Sequence, residues 1–472
     1  MEKQIFGATD GIRAKVGEAP LRPNMVRHLG EAIAKHFAGG KILIGRDTRA
    51  SGSWMRAEVV EGIHAAHGDV EEADILPTPA LQVLTDVRED VKAGIMLTAS
   101  HNPATDNGLK VFNANGEKLS DEEELEIEKI YFEDGPGEDK GMLDSPLRYV
   151  TNSVAVEQYA EFAERALGIN YDLDGAHLVL DAACGAGHDF SRKVFDKFRI
   201  EVEQIDPEPD GHNINDGYGA LYPEKMAEKV KELGYIGVAF DGDADRIILA
   251  DETGRIWDGD RIVILIAEYL QEKNMLPNNR VVLTEYSNLA TLQYLTYAGI
   301  AVDKVVNGDR FVTQKCLELG AGLGGELSGH IILLPWLNSS DATFITLLVQ
   351  KIVREKGCRL ADLWAKYDNL PSRQWGINVV EKKQTGEIPG FDAAVKAAEE
   401  RFGGDGRVFC RYSGTENKLR ILVEGKDAIL VDEIGEELAG IVRKEIGAWL
   451  KLDRWRNMIQ KSQRRWANCA SN

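Results

Sequence analysis

One recurring unit constrains this chain most: a short, mainly apolar run, a polar or glycine-rich turn, then a helical stretch. Residues 41–45 (Lys-Ile-Leu-Ile-Gly), 73–76 and 93–97 (Ala-Gly-Ile-Met-Leu) are such runs, with a helical pattern at 24–37 ahead of them. Arg46-Asp47-Thr48-Arg49 is expected to start the helix after the first run. The runs lack the alternation of a half-buried strand, so both faces must be covered. Strands alternating with helices give a parallel sheet flanked by helices. The pattern returns with strands at 177–181, 201–205 and 236–240 and helices at 154–166, 190–198 and 223–233. It returns again with strands at 280–284 and 301–306 and helices at 262–270, 342–354 and 360–367. After Pro371 it becomes α+β, with strands at 376–380, 407–410 and 419–424 and helices at 391–402 and 431–444.

A chain of 472 residues exceeds one core and by length alone holds roughly three domains. The pattern divides it at 1–153, 154–256, 257–370 and 371–447, leaving a tail, 448–472, rich in Trp, Lys and Arg. That tail reads as a terminal extension or as a surface for a partner or membrane. The net charge of −21 argues against a nucleic-acid partner and requires local Arg and Lys clusters for any anionic substrate. Five dispersed cysteines fit a reducing compartment better than a disulfide framework. Met1-Glu2-Lys3-Gln4 opens no signal peptide, and no apolar run is long enough to span a bilayer. The expected location is cytoplasmic, with no membrane partner.

Four motifs carry chemistry. Thr98-Ala99-Ser100-His101-Asn102-Pro103 follows a buried strand, so Ser100 falls at the strand's C-terminal edge, where open α/β sheets bind ligands. An activated hydroxyl there can be phosphorylated; taken alone, the string is equally an ordinary turn. Asp106-Asn107-Gly108-Leu109-Lys110 places Lys110 on a turn near the same edge. Asp241-Gly242-Asp243-Ala244-Asp245-Arg246 sets three carboxylates at alternate positions, oxygen ligands suited to Mg²⁺, with Arg246 able to pair with a phosphate. Its alternatives are an acidic surface loop, or an EF-hand, which the loop length excludes. Gly325-Glu326-Leu327-Ser328-Gly329-His330 groups a carboxylate, a hydroxyl and an imidazole for gripping sugar hydroxyls or an amine. Arg411-Tyr412-Ser413-Gly414-Thr415-Glu416-Asn417, with Arg420 beyond it, forms a phosphate cradle or a plain hairpin. Phe6–Arg13, rich in turn formers, reads as an N-terminal hairpin or as a loop delivering Arg13.

In this order the motifs resemble the α-D-phosphohexomutase superfamily over nearly the whole chain to about Lys444. The resemblance implies an α/β architecture of four domains, three related α/β units and a smaller α+β C-terminal domain. It implies an intramolecular phosphotransferase acting on a hexose phosphate through a bisphosphate intermediate. It assigns Ser100 as the phosphoserine and Asp241, Asp243 and Asp245 as ligands of one Mg²⁺ per chain, the Ser100 phosphate completing the coordination. Lys110, the general acid/base, is joined by His101 and Arg246 near the reacting phosphate. Arg13, Glu326, Ser328 and His330 become substrate-binding residues. Arg411, Ser413, Gly414, Thr415 and Arg420 hold the second phosphate. Thr9–Arg13, Asn213–Gly217, Gly308–Val312 and His330–Leu333 resemble most the phosphoglucosamine mutase branch, with glucosamine 1,6-bisphosphate or another hexose bisphosphate as activator. The alternatives are a phosphomannomutase/phosphoglucomutase and a non-catalytic sugar-phosphate binder; a monomer or homodimer is expected. The chain departs from the pattern at Ala8, Ala14, Tyr218, Leu221-Tyr222 and Ser339-Ser340-Asp341-Ala342.

Overall fold

The computed structural model describes residues 5–7, 11–139, 141, 150–151, 154–169, 172–364, 368–413 and 416–447. Ala8–Asp10, Gly414, Thr415 and the tail 448–472 lie outside the described residues. The chain forms two compact units: residues up to 285 with 298–364, and residues 286–297 with 368–447.

In the first unit, a six-stranded sheet has the order β1-β5-β4-β2-β3-β6, from β1 (Ile12–Lys15), β2 (Lys41–Arg46), β3 (Asp69–Ile75), β4 (Val91–Leu97), β5 (Asp106–Asn113) and β6 (Val150–Thr151). It is accompanied by α1 (Pro23–His36), α2 (Gly52–Ala65), α3 (Thr78–Asp86) and α4 (Asp121–Asp134). The core under α1, α2 and α4 is continuous, running from Val26, Leu29 and Ile33 through Ile42, Ile44 and Val59 to Ile127. α5 (Ala155–Leu167) leads to a five-stranded sheet, β11-β10-β9-β7-β8: β7 (His177–Asp181), β8 (Glu201–Gln204), β9 (Ile236–Phe240), β10 (Ile247–Ala250) and β11 (Ile256–Trp257), with α6 (Gly187–Lys197) and α7 (Glu224–Leu233). After α8 (Gly259–Glu272) a four-stranded sheet, β13-β12-β14-β15, is built from β12 (Arg280–Thr284), β13 (Ala301–Val305), β14 (Leu323–Gly325) and β15 (Ile331–Leu333). α9 (Leu289–Tyr297) leaves this unit for the second; α10 (Asp309–Leu319), α11 (Ala342–Lys356) and α12 (Leu360–Leu363) stay.

The three sheets share one plan. Parallel strands form the centre, and the last of them turns back antiparallel: β4 into β5, β9 into β10, β14 into β15. Each connecting segment carries a motif: 98–105, 241–246 and 326–330. The second unit repeats the device in its three-stranded sheet β16-β18-β17, from β16 (Ser372–Asn378), β17 (Gly406–Tyr412) and β18 (Lys418–Gly425), with Ser413 just past β17. α13 (Phe391–Phe402) and α14 (Ala428–Ile446) close its core around Ile421, Val423, Ile434 and Leu438.

Three expectations change. Lys110 is not on a turn but inside β5, and it is buried. Asp106-Asn107-Gly108 has turn composition because three backbones crowd there: a Cβ on Gly108 would meet Ile12 O at 2.2 Å and Thr98 O at 2.7 Å. The N-terminal strand does not pair within 6–13: β1 pairs antiparallel with β5, Arg13 opposite Gly108. Arg46–Arg49 does not start a helix; α2 begins at Gly52, and Asp47 and Arg49 bond the serine loop instead.

Candidate active site

Ser100 sits past the end of β4, 1% exposed, with φ at +52°. A non-glycine residue in the left-handed region needs its surroundings to hold it there. Here the Ser100 N–H donates to Thr98 Oγ1 at 2.9 Å, and Thr98 Oγ1 donates to Asp47 Oδ2 at 2.7 Å. The buried guanidinium of Arg49 bonds Asp47 Oδ2 at 2.9 Å and donates to the carbonyls of Ser100 (2.9 Å), Asn102 (2.8 Å), Asp106 (3.0 Å) and Pro103. Asn215 Nδ2 adds bonds to the carbonyls of Ser100 and Asn102 at 2.9 and 3.0 Å. Burial pushes the Asp47 carboxyl up against the pull of Arg49. Arg49 and Asn215 are site residues that the motifs did not reveal. The available signal for Arg49 was a polar run at the C-terminal edge of β2, the same sheet edge as Ser100.

Ser100 Oγ donates to Asp241 Oδ2 at 2.8 Å, joining the serine loop to the acidic loop. Asp241, Asp243 and Asp245 are buried, so the surface-loop alternative fails. One ligand oxygen from each lies within 4.8 Å of the others. Lys110 Nζ donates to Asp243 Oδ2 at 2.8 Å and Asp245 Oδ2 at 2.9 Å. Thr78, also outside the motifs, donates its hydroxyl to Asp243 Oδ2 at 2.6 Å and its N–H to Asp243 O at 3.0 Å. Asp243 Oδ1 and Asp245 Oδ1 are buried without a hydrogen-bond partner. Buried carboxylate oxygens left so are costly, and a hard divalent cation satisfies them. Burial, then the charges of Asp245 and Asp243, push the Asp241 carboxyl up to about 8. Burial opposes ionisation of Asp245 too, but Lys110 and His330 outweigh it and hold Asp245 well below the usual carboxylate range.

His101 Nδ1 lies 3.3 Å from Ser100 Oγ. Burial and the positive charges of Arg246 and Arg13 push this imidazole down to about 4, so it is neutral at pH 7. Arg246 anchors its own N–H on Asp241 Oδ1 at 3.2 Å, while its Nε is buried with no hydrogen-bond partner.

On the third loop, Ser328 Oγ donates to Glu326 Oε2 at 3.0 Å, and the Gly308 N–H donates to Glu326 Oε1 at 2.9 Å. The buried His330 ring lies between carboxylates, Nδ1 3.7 Å from Asp245 Oδ1 and Nε2 3.6 Å from Asp309 Oδ2. Burial disfavours the charged ring, but Asp245 and Asp309 prevail and raise its pKa. The acidic and third loops therefore touch.

In the second unit, Ser413 Oγ accepts from the Glu416 N–H at 3.3 Å, and Lys382 Nζ donates to Ser413 O at 2.7 Å. Arg411 stacks 4.8 Å from the Tyr286 ring centre and donates to Tyr286 Oη at 2.9 Å. Arg420 is its direct cross-strand partner.

Four family models match the chain in order: the α/β/α domains I, II and III of phosphoglucomutase/phosphomannomutase at residues 3–137, 157–254 and 258–370, and its C-terminal domain at 377–441. A phosphoglucosamine mutase of Bdellovibrio bacteriovorus is 36% identical, covering 94% of this chain and 100% of the relative. One of Solidesulfovibrio magneticus is 38% identical over the same shares. A phosphoglucomutase/phosphomannomutase family protein of Burkholderia thailandensis has the same fold, with TM-score 0.75 and 22% identity over 93% of this chain and 96% of that one.

Proposed function

The chain belongs to the phosphoglucomutase/phosphomannomutase family, and from that premise we propose that it is a phosphoglucosamine mutase, interconverting glucosamine 6-phosphate and glucosamine 1-phosphate through a phosphorylated Ser100 and a sugar bisphosphate. The observation that carries the reading is the Ser100 hydroxyl, bonded at 2.8 Å to a buried cluster of three carboxylates. A serine held so, on a loop that fixes its backbone, is placed for covalent group transfer rather than for a turn.

In one half-reaction the P–Oγ bond of phosphorylated Ser100 breaks as a bond forms to a sugar hydroxyl oxygen, and that hydroxyl's proton is relayed to the leaving Ser100 Oγ. The bisphosphate turns round. Its other phosphoryl group returns to Ser100, and the proton goes to the sugar oxygen left behind. Lys110 is our choice for the proton carrier, since its Nζ lies against Asp243 and Asp245 beside the serine loop. Mg²⁺ held by Asp241, Asp243 and Asp245 supplies charge neutralisation at the transferring phosphoryl group. Arg13, His101 and Arg246 surround that group, and the buried, unpartnered Nε of Arg246 is a donor to it. Glu326, Ser328 and His330 grip the sugar. The second phosphate is assigned to Arg411, Ser413, Gly414, Thr415 and Arg420, the two arginines lying directly opposite each other on paired strands. The four loops then belong one each to domains 1–153, 154–256, 257–370 and 371–447.

The test is turnover with Mg²⁺ and a hexose bisphosphate activator on glucosamine 1-phosphate, mannose 1-phosphate and glucose 1-phosphate in parallel. Preference for glucosamine 1-phosphate, and its loss in a folded Ser100→Ala variant, is expected. Preference for mannose or glucose makes the enzyme a phosphomannomutase/phosphoglucomutase, and activity retained by Ser100→Ala refutes the phosphoserine route.

A further inference from the structure

The segment Asn307-Gly308-Asp309-Arg310 supplies none of the groups assigned above, yet it holds two that do. Gly308 donates its N–H to Glu326 Oε1 at 2.9 Å, and the next residue sets Oδ2 3.6 Å from His330 Nε2. Two adjacent residues thus engage both the carboxylate and the imidazole of the sugar loop. Gly308 has φ at +135°, a conformation that suits glycine, and Asp309 opens α10, where a carboxylate also meets the positive end of the helix dipole.

This segment is fastened from outside its own sheet. Lys118, just past β5, forms an ion pair with Asp309, and Arg310 pairs with Asp121 at the start of α4 at 2.5 Å. Two successive residues at the start of α10 are therefore tied to the first sheet's domain, on the stretch that follows the strand carrying Lys110. The imidazole of His330 is held between carboxylates from two different elements, the acidic loop and α10.

We propose that Asp309, anchored by Lys118, is a positioning residue of this enzyme: it fixes the His330 ring, and through it the grip on the sugar. The proposal rests on the reading of residues 326–330 as the sugar loop. A carboxylate against one ring nitrogen sets the orientation of a histidine and what its other nitrogen can do. A carboxylate that only joined two domains would act on stability without regard to His330.

A double-mutant cycle separates the two. Asp309→Asn is expected to raise KM for glucosamine 1-phosphate about tenfold with kcat within about threefold, the scale seen when the carboxylate behind a functional histidine is lost. In a His330→Gln background the same substitution should change KM less than about twofold. Lys118→Met should follow Asp309→Asn in both backgrounds, and Lys118→Arg should retain most of the wild-type value. Equal effects in the two backgrounds, or an unchanged KM in Asp309→Asn, overturn the proposal; if Asp309→Asn fails to fold, the Lys118 pair of variants decides. The cycle is repeated as calorimetric affinity for glucosamine 6-phosphate. A wild-type protein that binds without turnover then refutes the mutase reading, while the cycle still decides the role of Asp309.

Discussion

Replacing Arg49 by Met removes a group that never meets substrate, and its effect can be worked from the structure. The guanidinium is fully buried and serves Asp47 and the carbonyls of Ser100, Asn102, Pro103 and Asp106. Breaking a buried ion pair from one side costs roughly 3–5 kcal/mol. Asp47 keeps Thr98 and the Arg49 backbone N–H as donors, and burial already raises its pKa, so it can take a proton; this holds the ion-pair loss near the lower figure. Asn215 still reaches the carbonyls of Ser100 and Asn102, whereas Pro103 and Asp106 lose the Arg49 donor at roughly 1 kcal/mol or more each. The sum is on the order of 5 kcal/mol. For a domain of this size it lowers the unfolding midpoint by roughly 10–20 °C. The assay is differential scanning calorimetry, following the transition that contains the first domain, because a chain with several domains need not unfold in one step. Turnover should fall at least about 100-fold, since the serine loop loses its main anchor. Arg49→Lys should not rescue either quantity, because an ammonium cannot reach four carbonyls and a carboxylate with a planar fork. A midpoint within about 2 °C of wild type, or a wild-type Arg49→Lys, would refute the reasoning.

Two further outcomes follow. Burial raises the carboxyl of Asp341 to about 6, so the native state binds its proton more tightly than the unfolded chain does; stability contributed by that proton is present below the ordinary carboxylate value and lost as pH rises through 6. Asp341→Asn, whose Oδ1 can still cap α11 while its Nδ2 donates to Tyr159 Oη, should flatten that slope and gain on wild type by about 1–3 kcal/mol between pH 4 and pH 8; parallel wild-type and variant curves in urea unfolding would contradict it. Chelating divalent metal should abolish turnover and lower the unfolding midpoint, with Mg²⁺ at about 100 times its Kd restoring about 2.7 kcal/mol, and Asp243→Asn should remove the Mg²⁺-dependent shift seen by calorimetry.

The strands at 177–181, 236–240 and 280–284 were legible to the residue, because a strand covered on both faces has a continuous apolar centre. Of the antiparallel returns, only β18, expected at 419–424, was legible. β5 begins Asp-Asn-Gly and β15 is three residues long, so composition gave no sign of strands. α10 follows Gly308 directly, and its apolar residues draw no clean stripe, since Val312 and Cys316 are buried while Phe311 and Leu317 are exposed. The Asp triad stood out by its own spacing, whereas Ser100 and residues 326–330 gained their assignments from the set of motifs and the resemblance. Arg49, Thr78 and Asn215 did not stand out, since each matters through a partner 51 to 165 residues away. Lys110 was recognised only through the resemblance. Its burial against two carboxylates is a property of register in β5.

That division has a physical cause in how the loops meet. A Cβ on Gly242 would come within 2.6 Å of Ser100 O, and one on Gly329 within 2.0 Å of Ile247 O. The serine loop rests on the acidic loop, and the third loop on β10, through bare backbone. Contact at that distance excludes every side chain but hydrogen, so the motifs must be written with glycine between the reactive residues. The same contact lets side chains reach across from loop to loop, Ser100 to Asp241 and His330 to Asp245. The bracing then falls to groups from elsewhere in the sequence: Arg49 behind the serine, Thr78 behind Asp243, Asp309 behind His330. Each reactive group has such support on a different element, so the site is assembled only when the sheets that carry those elements have packed together.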